Sequence, residues 1–304
     1  MCDELTEKDI EAALHHSQRG GLQEGASNSL TMDRRRFSAL SAGAILSGLV
    51  APGALAATPV TETRVNVEMP NGVSDSYFVH PAEGSHPGIL MWPDIRGLRP
   101  AFEAMGKRLA AAGYSVLVVN PFYRDLPAPV VGPDAQFSDP DTRQFLRGMA
   151  RKLTQEAAIS DATSYISFMD AQKQVDTARG VGTAGYCMGG PLIMRTAAAV
   201  PGRVKAAASF HGGGLYTDND DSPHLLIPKT QAQVLHAVAE NDHERSPDVK
   251  DKLIAAYEAA GIPAEIEVYE GTLHGWCPPD SRVYDEPQAE RAWERMLALF
   301  DRAL

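Results

Sequence analysis

Cysteine is scarce in this chain. Cys2, Cys187 and Cys277 are the only three in 304 residues. Three are too few for a disulfide framework, and no CxxC pair or Cys/His spacing points to zinc. Basic residues are outnumbered, with 28 Lys and Arg against 39 Asp and Glu and a net charge of −11. That balance offers no basic face for phosphates, so no nucleic-acid partner is expected. Otherwise an acidic excess reflects solubility and little more. Internal repeats, low-complexity tracts and coiled-coil heptads are missing as well. What remains is a chain with 44% hydrophobic residues, enough for one large core or two small ones.

The N-terminal segment has its own order of features. From Met32 it reads "MDRRRFSALSAGAILSGLVAPGALAATP". Arg34, Arg35, Arg36 and Phe37 fit a twin-arginine export pattern. A mildly apolar stretch follows at 39–49, then small residues at 54–56 that suit a signal peptidase. The apolar stretch is too short and too rich in Gly and Ser to span a membrane, so no stable membrane insertion is expected. The expectation is export by the twin-arginine machinery to the periplasm or beyond, with a cytoplasmic location as the alternative. Residues 1–56 then form an extension and signal segment, and 57–304 one domain. Met32 is a candidate true start.

After residue 57 short apolar runs alternate with helical periods. "TRVNVEM" and "SDSYFVH" read as strands joined by a turn at 70–72. "PGILMWP" reads as a buried strand. Phe102, Met105, Leu109 and Ala112 then share one helix face, ended by Gly113. "SVLVVNP" is continuously apolar, as in a parallel sheet covered on both faces. A proline-rich connection at 122–140 leads into a helical segment, 141–173, in two pieces. Strands at 179–185, 204–210, 232–239 and 263–270 alternate with helices at 188–199, 248–260 and 287–303. This alternation predicts a mostly parallel, doubly wound sheet with helices on both faces.

The chemistry centres on "GYCMGG", residues 185–190. G-x-C-x-G-G is the nucleophile-elbow pattern with cysteine in place of serine. A nucleophile at the tip of a strand-to-helix turn needs strained backbone angles, and side chains two residues away would collide with it. Glycine at 185 and 189 meets that need. The helix N-terminus that follows offers unpaired N–H groups, which favour a thiolate and hold an oxyanion. The acid and base should follow in that order, each past the end of a strand. "AENDHE" offers Glu240, Asp242 and Glu244 in a loop, with Asp242 preferred as the shortest and stiffest. "GTLHGW" offers His274 between the last strand and the last helix. His274 would take the thiol proton while Asp242 fixes its tautomer. His211, His224 and His243 are assigned to surface or packing, and His236 to the core.

With Cys187, Asp242 and His274 in this order, the sequence resembles the dienelactone hydrolase family of α/β-hydrolases over about residues 60–304. The resemblance rests on "GYCMGG", "ENDHE", "GTLHGW" and "WPDIRGL". It implies an α/β-hydrolase fold and a hydrolase that opens enol-lactone or activated ester bonds. The best-known family activity acts on carboxymethylenebutenolides. The backbone N–H groups of Ile95 and Met188 would form the oxyanion hole. Asp94 stands where the family has an acid that holds the resting thiol away from the histidine, although family members often carry the longer glutamate. Two family arginines bind the substrate carboxylate. Arg143 matches one. Pro278 occupies the place of the other, and Arg282 is the substitute nearby. The resemblance implies a small ester or lactone as substrate, and neither metal nor organic cofactor. The alternatives are a broader carboxylesterase or thioesterase on the same triad, or a thiol redox protein in which Cys277 pairs with Cys187.

Overall fold

A computed structural model describes residues 58–304. The twin-arginine pattern, the cleavage site and Met32 lie outside the described residues. The described chain forms an eight-stranded sheet in the order β1-β2-β4-β3-β5-β6-β7-β8. Its strands are β1 (Val60–Met69), β2 (Gly72–Pro81), β3 (Gly88–Trp92), β4 (Ser115–Val118), β5 (Val181–Tyr186), β6 (Val204–Phe210), β7 (Gln233–Ala239) and β8 (Ala264–Tyr269). β1 and β2 form an antiparallel hairpin at one edge, and β2 pairs antiparallel with β4. The other pairings are parallel. This is the mostly parallel α/β-hydrolase-type sheet expected from the sequence.

The helices are α1 (Pro100–Ala111), α2 (Pro140–Ala150), α3 (Gln155–Asp170), α4 (Gly189–Ala199), α5 (Glu240–Arg245), α6 (Asp248–Ala260) and α7 (Glu286–Ala303). Period-2 alternation along the strands sends side chains to two cores. Ile89 and Met91 of β3 join Phe102 and Leu109 of α1 and Met296 and Phe300 of α7. Leu90 and Trp92 join Tyr165 of α3, Ile193 of α4 and Tyr257 of α6. Both faces of the central strands are therefore apolar, which is why their sequences run without polar interruption.

Short polar side chains and a glycine cap three helix ends. Asp139 and Thr154 accept hydrogen bonds from the backbone N–H groups of Thr142 and Ala157, opening α2 and α3. The helical segment 141–173 is indeed two helices, broken between 151 and 154. Gly261, in the left-handed region at φ 67°, closes α6. One local expectation is corrected: residues 240–245 form a short helix, not a loop. The turn is polar and too short to show a 3.6-residue apolar period, so nothing in its pattern announced a helix.

The topology fixes where a ligand can sit. β3 connects to β4 on one side, while β5 takes the place on its other side. The chain diverges between β3 and β5, the place beyond the strands' carboxyl ends where open α/β sheets take their ligands. No helix among the described residues is long and apolar enough to cross a membrane.

Candidate functional site

Cys187 follows β5 directly and has φ 53°, an uncommon value for a residue with a side chain. Its amide donates to the Phe210 carbonyl at 3.0 Å, and its own carbonyl accepts from the Gly190 amide at 3.0 Å. The flanking glycines are required by contact. A Cβ on Gly185 would lie 2.1 Å from the Gly189 carbonyl oxygen. A Cβ on Gly189 would lie 2.4 Å from the Trp92 carbonyl oxygen. The turn thus wedges the start of α4 against the end of β3, and only glycine fits between them.

Three groups from three strand ends converge there. His274 Nε2 lies 3.0 Å from Cys187 Sγ. His274 Nδ1 lies 2.6 Å from Asp242 Oδ2. Among the three acids of "AENDHE", Asp242 meets the imidazole, while Glu240 accepts from the Gly271 amide at 3.0 Å. The short helix α5 explains the choice, because its turns separate the side chains of 240, 242 and 244. Arg245 also reaches Asp242, at 3.5 Å.

Sequence reasoning missed two residues that hold His274 in place. Asn241 Oδ1 accepts the His274 amide at 2.9 Å, pinning the backbone of the base next to its acid. His211, assigned to surface or packing, lies edge-on to His274 with ring centroids 5.2 Å apart. It is 1% exposed, has φ 40°, and neither ring nitrogen has a hydrogen-bond partner among the described residues. Burial first, and the neighbouring His274 second, push its pKa well below the usual histidine range, so it is neutral. Its position just after β6 was the available signal, since that is also a strand end on the crevice side.

The backbone groups expected to meet an oxyanion flank the elbow in sequence and topology. Ile95 belongs to the loop after β3, and Met188 leads into α4. Among the described residues, neither amide is paired with an acceptor. Asp94, expected to act on the resting thiol, is engaged by Arg99. Both of its oxygens accept from Arg99, at 2.7 and 2.8 Å, and one also accepts the Arg96 amide at 2.9 Å.

Arg143 is half-buried on α2 and donates to the Ser138 carbonyl at 3.1 Å. Arg282 is exposed on the segment between His274 and α7. Cys277 and Cys187 are not joined by a disulfide. Cys277 packs instead in the core with Tyr186, Trp293 and Met105, and burial pushes its thiol pKa well up. No cluster of His, Cys, Asp and Glu suited to a metal ion occurs among the described residues.

Comparison with known proteins gives the family and the fold. Residues 74–304 match the model of the dienelactone hydrolase family. A carboxymethylenebutenolidase of Pseudomonas putida is 27% identical over 221 residues, 71% of this chain and 86% of that protein. The carboxymethylenebutenolidase of Rhodococcus opacus is 24% identical over 254 residues, 81% of this chain and 94% of that protein. Among solved structures, a dienelactone hydrolase-like promiscuous phosphotriesterase from metagenomic libraries superposes with a TM-score of 0.65. It is 19% identical and covers 80% of this chain and 98% of that one, a likeness of fold.

Proposed function

This chain belongs to the dienelactone hydrolase family, and from that premise we propose that it opens enol-lactone or activated ester bonds with Cys187 as nucleophile. The observation that carries this reading is the relay Cys187–His274–Asp242, with its spacings of 3.0 and 2.6 Å. His274 takes the thiol proton, and the thiolate adds to the ester carbonyl. The amides of Ile95 and Met188 receive the developing oxyanion. The tetrahedral adduct collapses and the C–O bond breaks. The leaving alkoxide or enolate takes the proton from His274. Water, deprotonated by the same imidazole, then hydrolyses the thioester and returns the thiol. Asp242 holds the imidazole in the tautomer that presents Nε2 to sulfur and stabilises the imidazolium.

A thiolate is a soft nucleophile and a good leaving group. Its tetrahedral adduct with an ordinary alkyl ester expels sulfur more readily than alkoxide. Enol-lactones and aryl esters expel a stabilised oxygen anion, so they are the substrates the mechanism favours. The helix N-terminus at Met188 adds its dipole to the same preference for negative charge. Arg143 and Arg282 are the candidates to meet a substrate carboxylate. The segment 32–56 is proposed to direct export through the twin-arginine machinery.

The experiment is acyl-enzyme trapping. Wild-type protein mixed with an aryl ester and quenched in acid should carry one acyl group on Cys187 by peptide mass spectrometry. Hydrolysis of an enol-lactone should outrun that of ethyl butyrate. An acyl group on another residue, or equal rates on the two substrates, contradicts the reading.

A further inference from the structure

The Arg99 guanidinium sits between two carboxylates. Nη1 and Nη2 donate to the two oxygens of Asp94, and Nε and Nη2 donate to those of Asp280 at 2.7 and 2.9 Å. Nη1 also donates to the Gly97 carbonyl at 3.2 Å. Arg96 adds a second cation to Asp280 at 3.2 Å, so two acids meet two bases. Arg99 is 6% exposed, which shields its contacts with Asp94 from salt and water, while Asp280 keeps its outer side in solvent. Burial opposes its charge, but Asp94 and Asp280 outweigh burial and hold the guanidinium firmly protonated. Asp280 is exposed at its outer side, and Arg99 outweighs its partial desolvation to bring its carboxyl below the usual range.

The cluster joins two parts of the site. Asp94 lies two residues past the end of β3, in the loop that carries Ile95. Asp280 lies six residues after His274, in the segment that follows the base. The end of β3 also abuts the elbow, because a Cβ on Gly189 would meet the carbonyl oxygens of Trp92 and Pro93 at 2.4 and 3.0 Å. An uncompensated carboxylate at this place would disfavour a thiolate at the elbow. It would also leave the Ile95 loop without its tie to the His274 segment.

We propose that Arg99 is a positioning residue for the reaction: it neutralises Asp94 and turns that carboxylate away from the elbow, so that Cys187 faces His274 before substrate arrives. The inference rests on the reading of Cys187 as nucleophile and deepens it. Asp94 is then not a resting partner of the thiol in this chain. Its role passes to a fixed ion pair that needs no displacement by substrate. Arginine suits the position best, since its planar fork meets both oxygens of two carboxylates at once, more contacts than the three donors of an ammonium can make.

The test is alkylation of Cys187 by iodoacetamide in substrate-free protein at fixed pH, followed by peptide mass spectrometry that separates Cys187 from Cys277. Arg99→Gln should slow labelling about tenfold, the effect of one bare neighbouring charge. Arg99→Gln combined with Asp94→Asn should restore it to within about threefold, because the uncompensated charge is gone. The pH profile of labelling separates this from lost packing: its midpoint should rise by about one unit in Arg99→Gln and return in the double variant, whereas a purely structural pair would leave the midpoint in place. Wild-type labelling in Arg99→Gln overturns the proposal, as does a double variant no faster than the single. If Arg99→Gln does not fold, Arg99→Lys with and without Asp94→Asn gives the same reading. The expectation there is a smaller slowing that Asp94→Asn reverses, and an equal rate in both overturns it. Labelling needs no ester hydrolysis, so the two readings fail separately. Protein that labels as described but acylates another residue defeats the proposed function. Protein that acylates Cys187 but labels normally without Arg99 defeats the clamp.

Discussion

His274 Nε2 stands 3.0 Å from Cys187 Sγ, while the other nitrogen of the ring is engaged by Asp242. The three side chains therefore act as one unit, and their losses should not add. Cys187→Ala should lower kcat on an aryl ester by at least about a thousandfold. Asp242→Asn should lower it by about a hundred- to ten-thousandfold, since the amide favours the wrong tautomer. The double variant Cys187→Ala with His274→Ala should be no slower than Cys187→Ala alone. Steady-state kinetics on the purified variants checks this, and a multiplicative loss would show that the groups act independently.

The elbow gives a stability prediction that does not depend on chemistry. Gly189→Ala places a Cβ against the backbone of Trp92 at 2.4 Å, where no flexible side chain can yield. It should destabilise the protein by about 3 kcal/mol, or prevent folding. Gly202→Ala is the control. Nothing lies within 4 Å of its new Cβ, and the change should stay within about 0.5 kcal/mol. Urea midpoints at constant slope would report both values.

How much of this site was legible in the sequence follows from the kind of pattern each residue belongs to. Cys187 could be found because the elbow needs glycines at fixed offsets, a constraint local in sequence. His274 could be found because the strand–loop–helix alternation placed it at a strand end. Asp242 was chosen for the right reason in part. Its short side chain does reach the ring, but it does so from a helical turn that showed no periodicity. Arg99 and Asp280 could not be paired, because they lie far apart in sequence and no spacing rule links them. The resemblance alone gives Asp94 a part beside the thiol, and no sequence pattern announces the neighbour five residues on that holds both its oxygens. His211 was lost among nine histidines. Only the fold reveals that its ring is sealed against His274.

The two arginines proposed to meet a substrate carboxylate can be separated by charge. Arg143→Ala and Arg282→Ala should raise KM for a carboxylate-bearing enol-lactone by about three- to fivefold each, the upper part of what the loss of one exposed or half-exposed ionic contact gives. Neither should change KM for a neutral aryl ester more than about twofold. Parallel Michaelis–Menten curves on the two substrates decide it. Equal effects on both would mean that the arginines act on the fold and not on the carboxylate.

His236 supplies a stability that depends on pH in a definite direction. It lies fully buried on β7, with Nε2 at 2.8 Å from the Tyr257 hydroxyl and Nδ1 without a partner among the described residues. Burial lowers its pKa to about 4, against an ordinary value of 6.5. Between these values the unfolded chain binds the proton and the folded chain does not. Stability therefore falls as pH drops from about 6.5 and stops falling from this source near pH 4. The gap corresponds to about 3 kcal/mol at the acid end. The sign is the reverse of a histidine that gains an acidic partner on folding. His236→Gln keeps an amide able to meet Tyr257 but cannot titrate. Its own replacement cost should be the same at every pH, so its urea-unfolding free energy should change less between pH 7 and pH 4.5 than that of the wild type. The difference between the two slopes isolates His236 from the carboxylates and from His211, which titrate in both proteins. Parallel slopes would mean that water or a local opening relieves the buried imidazole, and that the strand does not hold it neutral by burial.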